Sequence, residues 1–150
     1  MASEFTFVAG NERLEFRVVG LERSSLGTEN LEDWLDSTVS VNIGAFTGSF
    51  KAAFTISDLI ILDEQLRNAL SLHSGTASLK NSGGDISLSV EFKERQAVVS
   101  GVIQPHRLKQ AALHVRLDMS EAALYQTVQE LEDVFRKFRP HMLKSRGAIA

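Results

Sequence analysis

Phe46-Thr47-Gly48-Ser49-Phe50-Lys51-Ala52-Ala53-Phe54-Thr55-Ile56 runs without a break into Ser57-Asp58-Leu59-Ile60-Ile61-Leu62-Asp63-Glu64-Gln65-Leu66-Arg67-Asn68-Ala69-Leu70. In the first part Phe46, Gly48, Phe50, Ala52, Phe54 and Ile56 hold one parity, the period of a strand with a single packed face. In the second, Leu59, Leu62, Leu66, Ala69 and Leu70 fall on one side of a helix. Ser57 or Asp58 is placed to cap that helix, because a short polar side chain there accepts from its free N–H groups. Ser74-Gly75 is placed to end it, glycine tolerating the left-handed conformation that closes helices. Gly48 reads as a bulge or a point of close packing in the strand. Strand into helix, with no linker between, is one half of a pattern that plays twice.

Working upstream, Phe5 and Phe7, then Leu14, Phe16 and Val18, alternate on either side of Gly10-Asn11, which predicts a hairpin. The alternation lapses from Leu21 to Asp33, where Ser24, Ser25, Gly27 and Asn30 predict the longest loop. It resumes at Val39, Val41 and Ile43, and Gly44 interrupts it. Working downstream, a short strand near residues 76–80 meets a turn at Asn81-Ser82-Gly83-Gly84. Three further alternating sets follow: Ile86, Leu88, Val90, Phe92; Ala97, Val99, Gly101, Ile103; and Ala111, Leu113, Val115, Leu117.

Asp118 and Glu121 then stand at capping-box spacing, and Leu124, Val128, Leu131, Phe135 and Phe138 form the apolar stripe of a closing helix. Burying five such side chains is worth roughly 8–15 kcal/mol gross, most of it offset by conformational entropy. Docking on a sheet is therefore what holds this helix. Pro140 stops it, and residues 140–150 read as a tail. Short connections between strands favour antiparallel pairing, since parallel strands need a long crossover. The expectation is one α+β domain over residues 1–150 with its core at about 5–139. Its mainly antiparallel sheet comes in two strand runs, each followed by an amphipathic helix. The two halves share pattern more than residues.

The 150 residues are 43% hydrophobic and 23% charged, with a net charge of -3 and no cysteine. The missing cysteine excludes disulfides, thiolate nucleophiles and cysteine-ligated metals. A mildly acidic chain argues against a nucleic-acid partner. Met1-Ala2-Ser3-Glu4-Phe5-Thr6-Phe7 has neither the basic start nor the apolar run of a secretory signal. No stretch nears the roughly 18 apolar residues a membrane helix needs, so a cytoplasmic location with no membrane partner is expected.

His73, His106, His114 and His141 show no metal-binding spacing, and no Gly-x-Ser-x-Gly elbow selects a nucleophile. Gly44-Ala45-Phe46-Thr47-Gly48 leads into a strand rather than the helix a phosphate site would use. No enzyme activity, metal or cofactor is nominated.

Two charge clusters remain. Arg136, Lys137, Arg139, Lys144 and Arg146 lie at the end of the closing helix, where the macrodipole favours them. They lack the interleaved exposed aromatics of a single-strand binder. Glu22, Glu29, Glu32, Asp33 and Asp36 crowd the long loop and the start of the third strand, relieved only by Arg23. The ordinary meaning is a solvated loop; the sharper one is an anionic face for a basic partner. Trp34, the only tryptophan, sits among them. Tryptophan is a favoured interface anchor, although at a strand start it more often joins the core.

Leu31-Glu32-Asp33-Trp34-Leu35, followed by Val39-Ser40-Val41, resembles a bacterial family of small immunity proteins related to the immunity partner of the wall-associated protein A toxin. The likeness spans about residues 5 to 139: an early hairpin, an acidic-Trp-Leu entry into a strand, then strand, helix, more strands and a closing helix. Its most specific local piece is Asp33-Trp34-Leu35. Glu32 stands where the family's acidic pair often reads Asp, and a Tyr-Pro-type turn after the second strand is missing.

The resemblance implies a non-enzymatic bacterial protein that neutralises a toxin domain by tight contact. Many such toxins are nucleases with basic surfaces, which an acidic face suits. Glu29, Glu32, Asp33, Trp34 and Asp36 are the candidate partner-binding residues. The alternatives are a small-molecule binder whose concave sheet face is lined by Phe46, Phe50 and Phe54, or a structural domain. Single parity assigns those phenylalanines to the core instead. An edge strand also leaves a homodimer open.

Overall fold

In a computed structural model, which describes residues 3–21, 34–81, 84–105 and 112–137, the alternating runs become eight strands and the two stripes become helices. The order is β1 (Ser3–Ala9), β2 (Glu12–Leu21), β3 (Trp34–Ile43), β4 (Phe46–Thr55), α1 (Ile56–Leu72), β5 (Ser74–Lys80), β6 (Ile86–Lys93), β7 (Gln96–Ile103), β8 (Leu113–Ser120) and α2 (Glu121–Lys137). Each strand pairs antiparallel with its neighbour in sequence, giving two four-stranded sheets, β1-β2-β3-β4 and β5-β6-β7-β8. Each sheet is followed by a helix, so the fold is α+β, as the two-part rhythm predicts.

The helix boundaries differ from the sequence reading for local reasons. Thr55, not Ser57, caps α1: its Oγ1 accepts from the N–H of Asp58 at 3.1 Å, while Asp58 Oδ2 accepts from the N–H of Thr55 at 2.9 Å. Asp58 is therefore the third helical residue of a capping box. Ile56, which continues the parity of β4, opens the helix and stays buried. The helix ends at His73, whose φ of 59° makes it the left-handed cap, so Ser74 and Gly75 already belong to β5.

At α2 the expected Asp118 cap is wrong. Asp118 faces outward two residues before the end of β8, paired with Arg116 at 3.3 Å, and the Oγ of Ser120 accepts from the N–H of Ala123 instead. Leu124, Val128 and Leu131 are buried as expected, joined by Thr127 and Val134. Phe135 packs only partly, and Phe138, Pro140 and the tail lie outside the described residues.

Both helices cross over. α1 leaves the first sheet and packs along β5, the edge of the second; α2 leaves the second sheet and packs along β1, the edge of the first. The contacts repeat almost atom for atom. Gln65 Oε1 accepts from the N–H of Ser78 on β5 at 2.8 Å, and Glu130 Oε1 accepts from the N–H of Thr6 on β1 at 2.9 Å. Gln65 and Glu130 hold the same position in their helices, as do Arg67 and Glu132, which face each other at 3.8 Å. One continuous core results, drawing on both sheets and both helices. In the first sheet it is aromatic: Phe5 stacks on Phe16 at 4.8 Å, and Phe7 and Phe54 meet Phe16 edge-on.

Candidate functional site

The repeat supplies a control for reading the connections. Between β6 and β7 the chain turns through two residues, Glu94 and Arg95, both at positive φ. The corresponding connection in the first half, between β2 and β3, takes residues 22–33. The fold itself closes with two residues there, so the longer segment is an elaboration. Loops added to a working scaffold are where binding residues concentrate. Glu29, Glu32 and Asp33 fall in it, outside the described residues.

Trp34 and Asp36 begin the strand that follows. Leu35, Ser37, Val39 and Val41 point to the core, so Trp34, Asp36, Thr38, Ser40 and Asn42 share the outward face of β3. Trp34 is half-buried opposite Thr55, and Asp36 is exposed between Gly20 and Ala53. The ordinary expectation that Trp34 joins the core is therefore not met. Its ring belongs to the face opposite the core, two residues from an exposed carboxylate. Beside Asp36 the register slips between Val18 and Gly20, and Val19 is left 55% exposed. The sequence reading passed over Val19. Its signal was the adjacent pair Val18-Val19, of which a one-faced strand can bury only one.

Farther along, the outward face carries mixed charge. Arg17 approaches Glu4 at 3.8 Å and Arg13 approaches Glu15 at 3.6 Å. A hydrogen bond shared with Glu4, then burial, then the charge of Glu4 raise the Glu15 carboxyl above its ordinary range, against Arg13 and Arg17. Between the helices, burial raises Asp63 although Arg67 lies 3.0 Å away.

The described residues contain no group of three or more histidine, aspartate or glutamate side chains placed to hold a metal ion. His73 is a helix cap and His114 is exposed on β8, while His106 and His141 lie outside the described residues. Arg136 is engaged by Glu132 at 3.8 Å and Asp133 at 3.5 Å. Of the three phenylalanines assigned to the core of β4, only Phe54 is fully buried. Phe50 is half-buried and Phe46 is 65% exposed.

The layout of hairpin, acidic entry to β3, helix, second strand run and closing helix is what a family model reads as well. That model, the Immunity protein WapI-like family, matches residues 6–139. The chain belongs to this family. The match runs from β1 past the end of α2, so the family unit includes both halves, the elaborated β2–β3 segment and Trp34. No curated protein and no solved structure matches the chain. Among the described residues, no helix is long and apolar enough to cross a membrane.

Proposed function

We propose that this protein is a non-enzymatic immunity protein of the bacterial cytoplasm that neutralises a toxin domain by direct protein contact. The contact surface is the start of β3 with the segment before it: Trp34 as anchor, and Glu29, Glu32, Asp33 and Asp36 as the anionic surround. The observation that carries this reading is the placement of Trp34 and Asp36 together on the outward face, at a β2–β3 connection whose counterpart between β6 and β7 closes through two residues. A half-buried tryptophan two residues from an exposed carboxylate, in a stretch of sequence rich in acidic residues, suits a partner with a basic surface, because charge complementarity speeds encounter and desolvated aromatic contact slows release.

The experiment begins with capture of the toxin domain by the tagged chain and continues as a titration. Reversing Glu32, Asp33 and Asp36 to lysine should weaken binding at least about tenfold, mostly through a slower on-rate, and flatten its salt dependence. Trp34→Ala should act mainly on the off-rate. Affinity unchanged in both variants would move the contact to another surface.

A further inference from the structure

Sheet edges are the places where a fold must prevent stray pairing, and this one closes nearly all of them from within. On β1 the edge N–H of Thr6 is taken by Glu130, and on β5 that of Ser78 by Gln65. β8 lies against β1. On β4 the carbonyl of Ala53 accepts from Asn81 Nδ2 at 3.2 Å. Backbone groups alternate sides along a strand, so those of Thr47, Ser49 and Lys51 point the same way as Ala53, away from β3. Among the described residues no strand lies on that side of β4. The stretch keeps unbroken register to β3 and holds no proline. It also overhangs the core: Phe46, Thr47, Gly48 and Ser49 are all exposed.

Gly48 is the second observation. The bulge expected there is not found, since Gly48 pairs regularly with Val41. Close packing is not found either, because a Cβ built on Gly48 meets nothing within 4 Å. Glycine weakens a strand interior, and nothing within the monomer requires one here. A remaining reason for glycine in a strand is the close approach of another backbone.

We propose that the open edge of β4 pairs antiparallel with the same edge of a second copy, about a twofold axis at Gly48. In that register the segment is its own complement. Phe46 lies opposite Phe50 of the partner subunit, twice, and Thr47 exchanges backbone hydrogen bonds with Ser49 of the partner subunit. Gly48 meets its own counterpart as a non-hydrogen-bonded pair, the closer of the two antiparallel spacings. Lys51 falls opposite Ala45 of the partner subunit, so no like charges face each other. The cross-strand aromatic pairs supply the attraction, and the two β1–β4 sheets become one. Trp34 and Asp36 stay uncovered, because they flank the other end of β4.

Sedimentation velocity on the full chain from about 1 µM to about 300 µM brackets a micromolar contact. The expected result is a rise from one chain toward two across that range. Ser49→Pro removes an N–H that only the dimer uses, at an edge position where the monomer tolerates proline. Phe46→Glu replaces an already exposed side chain. Each should weaken self-association at least about tenfold with an unchanged circular dichroism spectrum. A chain that stays monomeric throughout, or a dimer that Phe46→Glu leaves intact, overturns the proposal.

Since the chain has no cysteine, Gly48→Cys gives a second reading. Its partner lies at about 4.5 Å between Cα atoms, within disulfide reach. Mild oxidation should link two copies through Gly48→Cys but not through Lys51→Cys. Equal linkage of both variants, or none, counts against the dyad. No readout here requires a toxin partner, so the outcome is independent of the function proposed above.

Discussion

Thr55 carries two hydrogen bonds that Ser57 does not, although both are short polar residues at the head of the same helix. Thr55→Ala removes the cap and leaves the Asp58 N–H without its acceptor, so it should cost about 1 kcal/mol, within roughly 0.5–2. Ser57→Ala should be close to neutral. Urea unfolding midpoints at constant slope test the pair. Gly101 is a harsher case. It sits at φ 155°, and an added Cβ would run into the carbonyl oxygen of Ser87 and lie 2.8 Å from the Leu88 Cα, both backbone atoms of the paired strand. Neither can retreat without opening the β6–β7 ladder. Gly101→Ala should therefore cost about 3 kcal/mol or more, read in the same titration.

Glu15 gives a prediction with a pH sign. Its folded-state carboxyl binds a proton more tightly than the ordinary value of 4.5, so the native state gains stability as the group is protonated. The cost of the charged form is full above the raised pKa and fades as pH falls through it toward 4.5. Glu15→Gln should be more stable than the native chain at neutral pH. The difference should shrink on acidification through that window, as followed by thermal unfolding at stepped pH.

At the scale of elements, the period-two and helical stripes were sufficient to place all eight strands and both helices, because burial on one face is written in every residue of a run. The caps were not legible in the same way. Thr55, Ser57 and Asp58 are all competent caps, and the choice among them depends on where β4 releases the chain. The parity continues through Ile56, which is buried as a strand residue or as a helical one, so the junction leaves no mark. Ser120 escaped notice for the same reason beside Asp118.

The candidate site was half legible. The charge of residues 22–36 and the identity of Trp34 were plain, but the face Trp34 occupies follows from the parity of a strand whose start lay upstream of the Val39 alternation. The Glu94-Arg95 turn left no signature, since two positive φ values without glycine or asparagine are costly. The carbonyl of Arg95 accepts from the first N–H of α2 at 3.2 Å, so this turn is held from both sides. Glu94→Asn with Arg95→Gly supplies residues the turn prefers, and should raise stability by about 1 kcal/mol. A lowered urea midpoint would mean that the native side chains make contacts which outweigh the strain.

At the scale of the whole molecule, the repeat suggests two independent halves, and the crossed helices argue otherwise. An amphipathic stripe states that a helix is buried, not which sheet buries it, so the crossover was invisible in the sequence. The Leu59, Leu62 and Leu66 stripe of α1 packs beside β5, while the β1 edge is covered by Thr127 and Glu130 from the far end of the chain. A fragment ending at residue 73 would keep β1–β4 and α1, yet it would expose that stripe and strip the cover from β1. It should fail to fold alone.

The full chain should unfold in one step, and its single tryptophan lets this be tested without truncation. Trp34 reports the first sheet, whereas Leu88 lies buried in β6 of the second. Leu88→Ala should cost about 2–5 kcal/mol. If the halves are one cooperative unit, Trp34 fluorescence and far-ultraviolet circular dichroism must move together to the same lower midpoint. A Trp34 transition left at its native midpoint, with circular dichroism splitting in two, would instead mean that each sheet keeps its own stability and that the crossed helices join two units rather than make one.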